Sequence, residues 1–142
     1  KNLKSISLIF CEKQMDKVLV IGHSPSSKEY CPRKGNPTHN RLNRWLDDCG
    51  VEIYSFTNAC AHRATSLKLS DIDRTFLHEV VKGYNKILSL GNDVNNILTK
   101  MEIEHYALPH PSPLNRKFND KAYEPKIINN LKSYLQIDST VV

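Results

Sequence analysis

The chain has 142 residues, and its 20 lysines and arginines against 15 acidic residues give a formal net charge of +5 at pH 7. Hydrophobic residues make up 39% and charged residues 25%, with five glycines and seven prolines. This balance is typical of one globular domain with its own core, and it excludes a disordered, collagen-like or low-complexity chain.

The composition also predicts a soluble, intracellular protein of the cytoplasm, nucleoid or nucleus. The longest apolar runs, such as residues 18–21, are far shorter than the roughly 18 residues that a membrane span needs. The N-terminal region lacks the long apolar core and the small-residue cleavage site of a signal peptide. The cysteines at positions 11, 31, 49 and 60 form no C-x-x-C pair, so we expect free thiols and neither a metal nor another cofactor.

Hydrophobic patterning predicts strands that alternate with helices along the whole chain. Strands are predicted at 17–22, 51–57, 86–91 and 104–108, and helices at 38–49, 70–82, around 94–98 and at 121–136. Alternation of this kind calls for a parallel sheet with helices on both faces. We therefore predict an α/β protein with a three-layer α/β/α fold, a central four-stranded parallel sheet and a single domain over residues 1–142.

Capping residues mark the ends of the first two helices. Thr38 is predicted to be the N-cap of the first helix, and Gly50 its left-handed C-terminal cap. Ser70 and Asp73 have the spacing of a capping box that opens the second helix. The apolar face of the second helix is predicted to consist of four residues, namely Ile72, Phe76, Leu77 and Val80.

The segments that follow the strands are rich in Gly, Ser, Asn, Pro and His, and they predict where a ligand binds. Ligands of parallel sheets lie beyond the carboxyl ends of the strands. Here those ends are residues 22–25, 57–59, 91–93 and 109–112. The sequence therefore predicts one cleft that these four segments surround.

The segment at 108–116 reads Leu-Pro-His-Pro-Ser-Pro-Leu-Asn-Arg and has the most unusual composition. Its prolines restrict the backbone and hold His110 in a fixed orientation. Leu114 is expected at an exposed tip, where it can insert between bases while Arg116 and Lys117 contact phosphates. The alternative interpretation is a proline-stiffened turn with a structural histidine.

His-Pro-Ser-Pro-Leu at 110–114 resembles the loop of the same sequence in the uracil-DNA glycosylase superfamily. Three further segments resemble that superfamily in the right order. Gly-His-Ser-Pro-Ser at 22–26 stands at the motif after the first core strand, and Phe-Thr-Asn at 56–58 is similar to the strand end whose Asn reads the base. Pro-x-x-Asn-Arg at 37–41 is similar to a stretch of the mismatch- and thymine-specific branch. The resemblance covers about residues 18–135.

The resemblance implies a DNA glycosylase that flips a uracil or another modified or deaminated base out of DNA and hydrolyses its N-glycosidic bond. His110 would stabilise the departing base, and Asn58 would read its Watson–Crick edge, although a turn-capping Asn is the alternative. The partner would be single- or double-stranded DNA and the protein a monomer. Together with His110, the implied catalytic residues are His23 and Ser24. Together with Asn58, the implied base-binding residues are Tyr30, Ser26 and Asn40. The implied DNA-binding residues are Ser112, Leu114, Asn115, Arg116, Lys117 and Arg63.

Two positions depart from the superfamily pattern. Ser24 replaces the Asp or Asn that positions the attacking water, and a serine hydroxyl is not a base at neutral pH. General-base catalysis typically accelerates a reaction by about 10²–10⁴-fold. The attack of water is therefore expected to be slower unless His23 or His39 acts as the base. Ser26 replaces a Tyr that blocks the pyrimidine 5-position, which predicts tolerance of 5-substituted uracils.

These departures leave two alternatives to a glycosylase. One is a DNA-binding protein on the same scaffold that recognises a base without cutting, which Ser24 favours. The other is an α/β enzyme that acts on free nucleotides or sugar phosphates. The serine-rich loop after the first strand fits the second alternative only loosely, because it has neither the G-x-G-x-x-G nor the Walker lysine pattern.

Overall fold

The computed structural model describes residues 17–24, 37–60, 66–112 and 114–136. Within these ranges the chain forms one sheet from the strands β1 (Val18–Gly22), β2 (Ser55–Asn58), β3 (Lys86–Leu90) and β4 (Tyr106–Leu108). All neighbours in the sheet pair in parallel, in the order β2-β1-β3-β4. The helices of the same ranges are α1 (Pro37–Asp48), α2 (Arg74–Val81), α3 (Asn92–Lys100) and α4 (Tyr123–Leu135).

The sheet is covered by helices on both faces because the side chains of β1 and β3 alternate between two apolar cores. Five residues of the two strands and of α2 and α3 are typical of the first core, namely Leu19, Ile21, Ile87, Leu77 and Ile97. The second core joins the opposite face of the strands to α1 and α4, through residues such as Val20, Leu88, Trp45, Leu46 and Leu131. The predicted three-layer α/β/α fold with a central four-stranded parallel sheet is therefore confirmed.

The helix caps follow the prediction only in part. Gly50 has a φ of +83°, and the amide of Val51 donates to the Leu46 carbonyl at 2.8 Å, so the left-handed cap of α1 is confirmed. The prediction that Thr38 caps α1 was wrong, because the helix already begins at Pro37, whose fixed φ suits a first helical position.

The start of α2 also differs from the prediction. Ser70 lies in a short 3₁₀ turn (Leu69–Asp71), and the N-cap of α2 is Asp73, whose carboxylate accepts a hydrogen bond from the Phe76 amide at 3.0 Å. Phe76 was predicted to face inward but is 51% exposed. Consecutive helical residues point about 100° apart, so burying Leu77 turns its neighbour toward solvent.

The strand and helix boundaries shift by a few residues. β2 begins at Ser55 instead of residue 51, β4 begins at Tyr106 instead of 104, and α4 begins at Tyr123 instead of 121. No helix within the described ranges is long and apolar enough to cross a membrane.

Candidate functional site

The carboxyl ends of the strands lie along one edge of the sheet, where the predicted catalytic residues and the base-binding Asn58 are found. Asn58 is the last residue of β2, His23 and Ser24 follow β1 directly, and His110 follows β4 by two residues. The strand order places Asn58 and His110 at opposite ends of this edge, three interstrand spacings or roughly 14 Å apart at the backbone.

The side chains of Asn58 and His110 each lie next to a glycine at the end of the neighbouring strand. A Cβ atom at Gly22 would lie 3.0 Å from Oδ1 of Asn58, so this carboxamide extends over the end of β1. A Cβ atom at Gly91 would lie 3.6 Å from Cδ2 of His110, so this imidazole lies over the residue that follows β3. Because β1 and β3 are adjacent strands, the carboxamide and the imidazole extend over neighbouring strand ends, about 5 Å apart at the backbone.

Helix α1 contributes a further histidine on the same side of the sheet. The ring of His39 packs against the ring of Phe56 with 4.8 Å between centroids, and burial lowers the pKa of His39. Phe56 is two residues before Asn58, so both side chains point to the same face of β2. His39 therefore borders the same region as the Asn58 carboxamide.

The three histidines of this edge influence one another electrostatically. Burial of its ring lowers the pKa of His110, and electrostatic interactions with the nearby His23 and His39 lower it further. His110 as a residue is exposed, while atoms of its ring lie within 4 Å of the position that a Cβ atom at Gly91 would take. His110 is thus neutral at pH 7, and a neutral imidazole can donate one hydrogen bond without carrying a charge.

A hydrogen-bonded group of three side chains lies beside His110. Nδ1 of His23 is 2.9 Å from Oγ of Ser24, and Nε2 of His23 is 3.1 Å from Oδ2 of Asp93. Asp93 lies in the first turn of α3 and was not predicted as a site residue. The only signal for it in the sequence was its position in the segment that follows the third predicted strand.

The loop after β4 is held together by its own polar side chains. The amide of Leu114 donates to Oγ of Ser112 at 3.1 Å, and Nδ2 of Asn115 donates to the His110 carbonyl at 3.5 Å. Oδ1 of Asn115 accepts from the Lys117 amide at 3.1 Å and caps the 3₁₀ turn Arg116–Asn119. Ser112 and Asn115 thus have roles within the loop, whereas Leu114 is 88% exposed.

The loop is anchored to the helices through an aromatic and charged cluster. The guanidinium of Arg41 lies 4.0 Å above the ring of Phe118, which belongs to the 3₁₀ turn. Oε1 of Glu124 accepts from Arg44 at 2.6 Å and from the indole N–H of Trp45 at 2.9 Å, and it lies 3.3 Å from Nε of Arg41. Glu124 therefore joins α1 to α4 next to the loop that holds His110.

Glu124→Gln is expected to weaken the fold by about 1–3 kcal/mol at pH 7, because charge-assisted hydrogen bonds to a carboxylate are lost. Burial by itself raises the pKa of Glu124, but Trp45, Arg44 and Arg41 outweigh it and hold this pKa below the ordinary value of 4.5. A lowered folded-state pKa gives stability that is present above pH 4.5 and is lost as the pH falls below it.

Urea unfolding between pH 3 and pH 7 measures this effect. The Gln variant should lose less stability than the original protein over the acid range. Glu79→Gln is the matched control, since Glu79 is exposed and forms an exposed ion pair with Lys82, and we expect a far smaller change from it. Parallel stability–pH curves for the Glu124 variant and the original protein would contradict the assigned role of Glu124.

Of the remaining predicted residues, Asn40 lies in α1. Asn40 is exposed and lines a hollow of about 400 Å³ beside α1, with residues such as Asn43, Asp47 and Tyr54. Its contact with a base stays a prediction. Tyr30, Ser26 and Arg63 lie outside the described residues, and their roles also stay predictions.

The described histidine and cysteine residues away from the strand ends show no sign of a metal site. His105 interacts with the Ile103 carbonyl and with Oδ1 of Asn95, both at 2.7 Å, and Cys49 and Cys60 are free thiols. Within the ranges that the structure describes, no three or more His, Cys, Asp or Glu side chains are grouped as a metal would require. The sequence matches no family model and no curated protein.

Proposed function

We propose that the protein is a DNA glycosylase that flips a uracil or another modified or deaminated base out of DNA and hydrolyses its N-glycosidic bond. The observation that supports this most is that the Asn58 carboxamide lies next to Gly22 and the His110 imidazole next to Gly91, at the ends of two adjacent strands. His110 and Asn58 would contact the same nucleobase from two sides. The resemblance of four segments to the uracil-DNA glycosylase superfamily supports the same function.

The chemistry of the reaction suits these two side chains. When the glycosidic bond breaks, the base leaves with the bonding electrons and becomes an anion. A hydrogen bond from neutral His110 to this anion is worth about 3 kcal/mol if it acts like an oxyanion-hole donor. Asn58 can accept from N3–H of uracil and donate to O4, and cytosine presents the opposite pattern at both atoms.

The loop after β4 supports contact with a DNA strand. Leu114, Arg116 and Lys117 are exposed and close together in sequence, and Ser112 and Asn115 make hydrogen bonds within the same loop. An apolar side chain can fill the space of a flipped base while cations contact phosphates. We propose that the protein acts on DNA as a monomer inside the cell.

A base-recognising DNA-binding protein without catalytic activity is the second candidate. Ser24 favours it, because no carboxylate or carboxamide stands at the position from which the superfamily directs water. In that case His110 and Asn58 would hold an extruded base, and the glycosidic bond would remain intact.

A base-release screen tests the proposal. Single- and double-stranded oligonucleotides that carry uracil, 5-hydroxymethyluracil, hypoxanthine or mismatched thymine are incubated with the protein and then treated with hot alkali. We expect strand cleavage at uracil and, because Ser26 is small, at 5-hydroxymethyluracil. Oligonucleotides with ordinary cytosine and paired thymine are the controls.

Each other outcome of the screen favours a different function. Preferential binding of uracil-containing DNA without cleavage would support the second candidate. Neither cleavage nor a preference for DNA over free nucleotides would contradict both candidates and favour an enzyme of small nucleotides. Cleavage at uracil with rejection of every 5-substituted base would contradict only the predicted role of Ser26.

A further inference from the structure

His23 is held between a hydroxyl and a carboxylate that come from distant parts of the chain. Ser24 is its neighbour in sequence, whereas Asp93 is 70 residues away and reaches it from the first turn of α3. The side chain of His23 is 22% exposed and that of Asp93 is 43% exposed. The group therefore lies at the surface of the candidate site, where a water molecule can reach it.

The partners of His23 determine which of its nitrogens carries the proton. A carboxylate only accepts hydrogen bonds, so Nε2 of His23 must donate to Asp93. In this neutral tautomer Nδ1 has a lone pair that can accept a hydrogen bond from the Ser24 hydroxyl, whose oxygen is 2.9 Å away. A hydroxyl oxygen has two lone pairs besides its donor, so Oγ of Ser24 can also accept a hydrogen bond from a water molecule.

We infer that Asp93 is a positioning residue that makes His23 the general base for the attacking water, with Ser24 as the proton relay between them. This inference rests on the proposed glycosylase function. It explains how water can be activated although Ser24 itself is no base. Asp93, acting through His23, takes the place of the acidic or amide side chain that the superfamily pattern has at position 24.

The step balances in atoms and charge. The bond between C1′ and the base nitrogen breaks with its electron pair on the base, and the water oxygen bonds to C1′. A water proton passes to Oγ of Ser24 as the Ser24 hydroxyl proton passes to Nδ1 of His23. His23 becomes an imidazolium that the Asp93 carboxylate stabilises, and neutral His110 donates a hydrogen bond to the base anion.

A structural role for Asp93 makes a different prediction. A carboxylate in the first turn of a helix stabilises it through the helix dipole, and losing it would lower stability without any specific effect on the chemical step. The experiment must therefore separate the rate of bond cleavage from DNA binding and from folding.

Asp93→Asn keeps the shape of the side chain and removes its charge. In single-turnover assays on uracil-containing DNA we expect excision to slow by about 10²-fold. The Kd for DNA that carries a non-hydrolysable 2′-fluoro-deoxyuridine should change by less than about twofold, since Asp93 is not expected to touch DNA. Asp73→Asn removes a carboxylate from the start of α2 and is the matched control, with an unchanged rate expected.

The same substitution in a Ser24→Asp variant tests whether Asp93 acts through Ser24. Ser24→Asp introduces the carboxylate of the superfamily pattern, and adding Asp93→Asn to this variant is expected to change its excision rate by less than threefold. Equal losses with and without Ser24→Asp, or a loss that appears in Kd, would overturn the inference. If circular dichroism shows that Asp93→Asn does not fold, Asp93→Glu is tested in its place. We expect this variant to excise uracil more slowly and to bind DNA with an unchanged Kd.

The result also distinguishes this inference from the proposed function. An original protein that excises uracil, together with an Asp93→Asn variant of full rate, would overturn the role of Asp93 alone. An original protein that excises no base in the screen would overturn both.

Discussion

Replacing His110 with alanine is expected to slow uracil excision by about 10²–10³-fold, the effect of removing one donor to a developing anion. The pKa of His110 lies below its ordinary value, so the ring is a neutral donor at pH 7 and its loss removes a hydrogen bond from the departing base. Affinity for DNA should change little, because Leu114, Arg116 and Lys117 remain exposed. Single-turnover rates, and Kd for DNA with an uncleavable nucleotide, measure the two effects separately.

His78→Ala is the matched control, since His78 is an exposed histidine of α2. Its rate should equal that of the original protein. A His110→Ala variant that loses affinity and rate in equal measure would indicate that His110 holds DNA and has no specific role at the leaving base. A variant with full activity would contradict the proposed mechanism.

The centre of the sheet could be predicted from sequence because its strands are buried on both faces. All residues of β1 and β3 are buried, so each strand is a short run of mostly apolar residues, with Gly22 at the end of β1 and Gly91 directly after β3. The outer strand β2 is only partly buried, and its pairing with β1 begins at Leu19 and Ser55. Apolar alternation upstream of Ser55 does not show where that pairing begins, so the predicted strand was too long.

Helix starts were predicted less well because several polar residues compete for the same backbone amides. Near α2 both Ser70 and Asp73 are suitable caps. In the structure the chain first makes a 3₁₀ turn, in which the Asp71 carboxylate accepts from the Lys68 amide at 3.1 Å, and Asp73 then caps the helix. Sequence spacing alone does not distinguish these two arrangements.

The candidate site was predictable at the level of strand ends but not at the level of contacts. The sequence placed Asn58, His23, Ser24 and His110 at one edge of the sheet, as the structure does. Their spacing along this edge depends on the strand order, and the positions of the Asn58 and His110 side chains depend on the space that Gly22 and Gly91 leave; neither follows from a local pattern. The pairing of His23 with Asp93 joins residues 70 positions apart, so only the folded chain reveals it.

Exchange of Asn58 for aspartate tests whether this side chain reads the base. An ionised aspartate only accepts hydrogen bonds, so it repels O4 of uracil and can accept from the 4-amino group of cytosine. Removing the Asn58 amide donor leaves O4 of the bound uracil without a partner, which costs about 1–3 kcal/mol. Uracil excision should therefore slow by about 10–100-fold. Cytosine excision should rise relative to uracil, and single-turnover rates on the two substrates give that ratio.

The ratio of rates separates recognition of the base from support of the strand end. Gly22 and Asn58 are register partners, and the amide of Ala59 donates to the Gly22 carbonyl at 2.7 Å. A purely structural loss at Asn58 would therefore slow both substrates alike and leave the uracil-to-cytosine ratio unchanged. Asn130→Asp on the exposed face of α4 introduces the same charge away from the sheet edge, and it should alter neither rate. A shifted ratio in the Asn58 variant alone would mean that the carboxamide contacts the base.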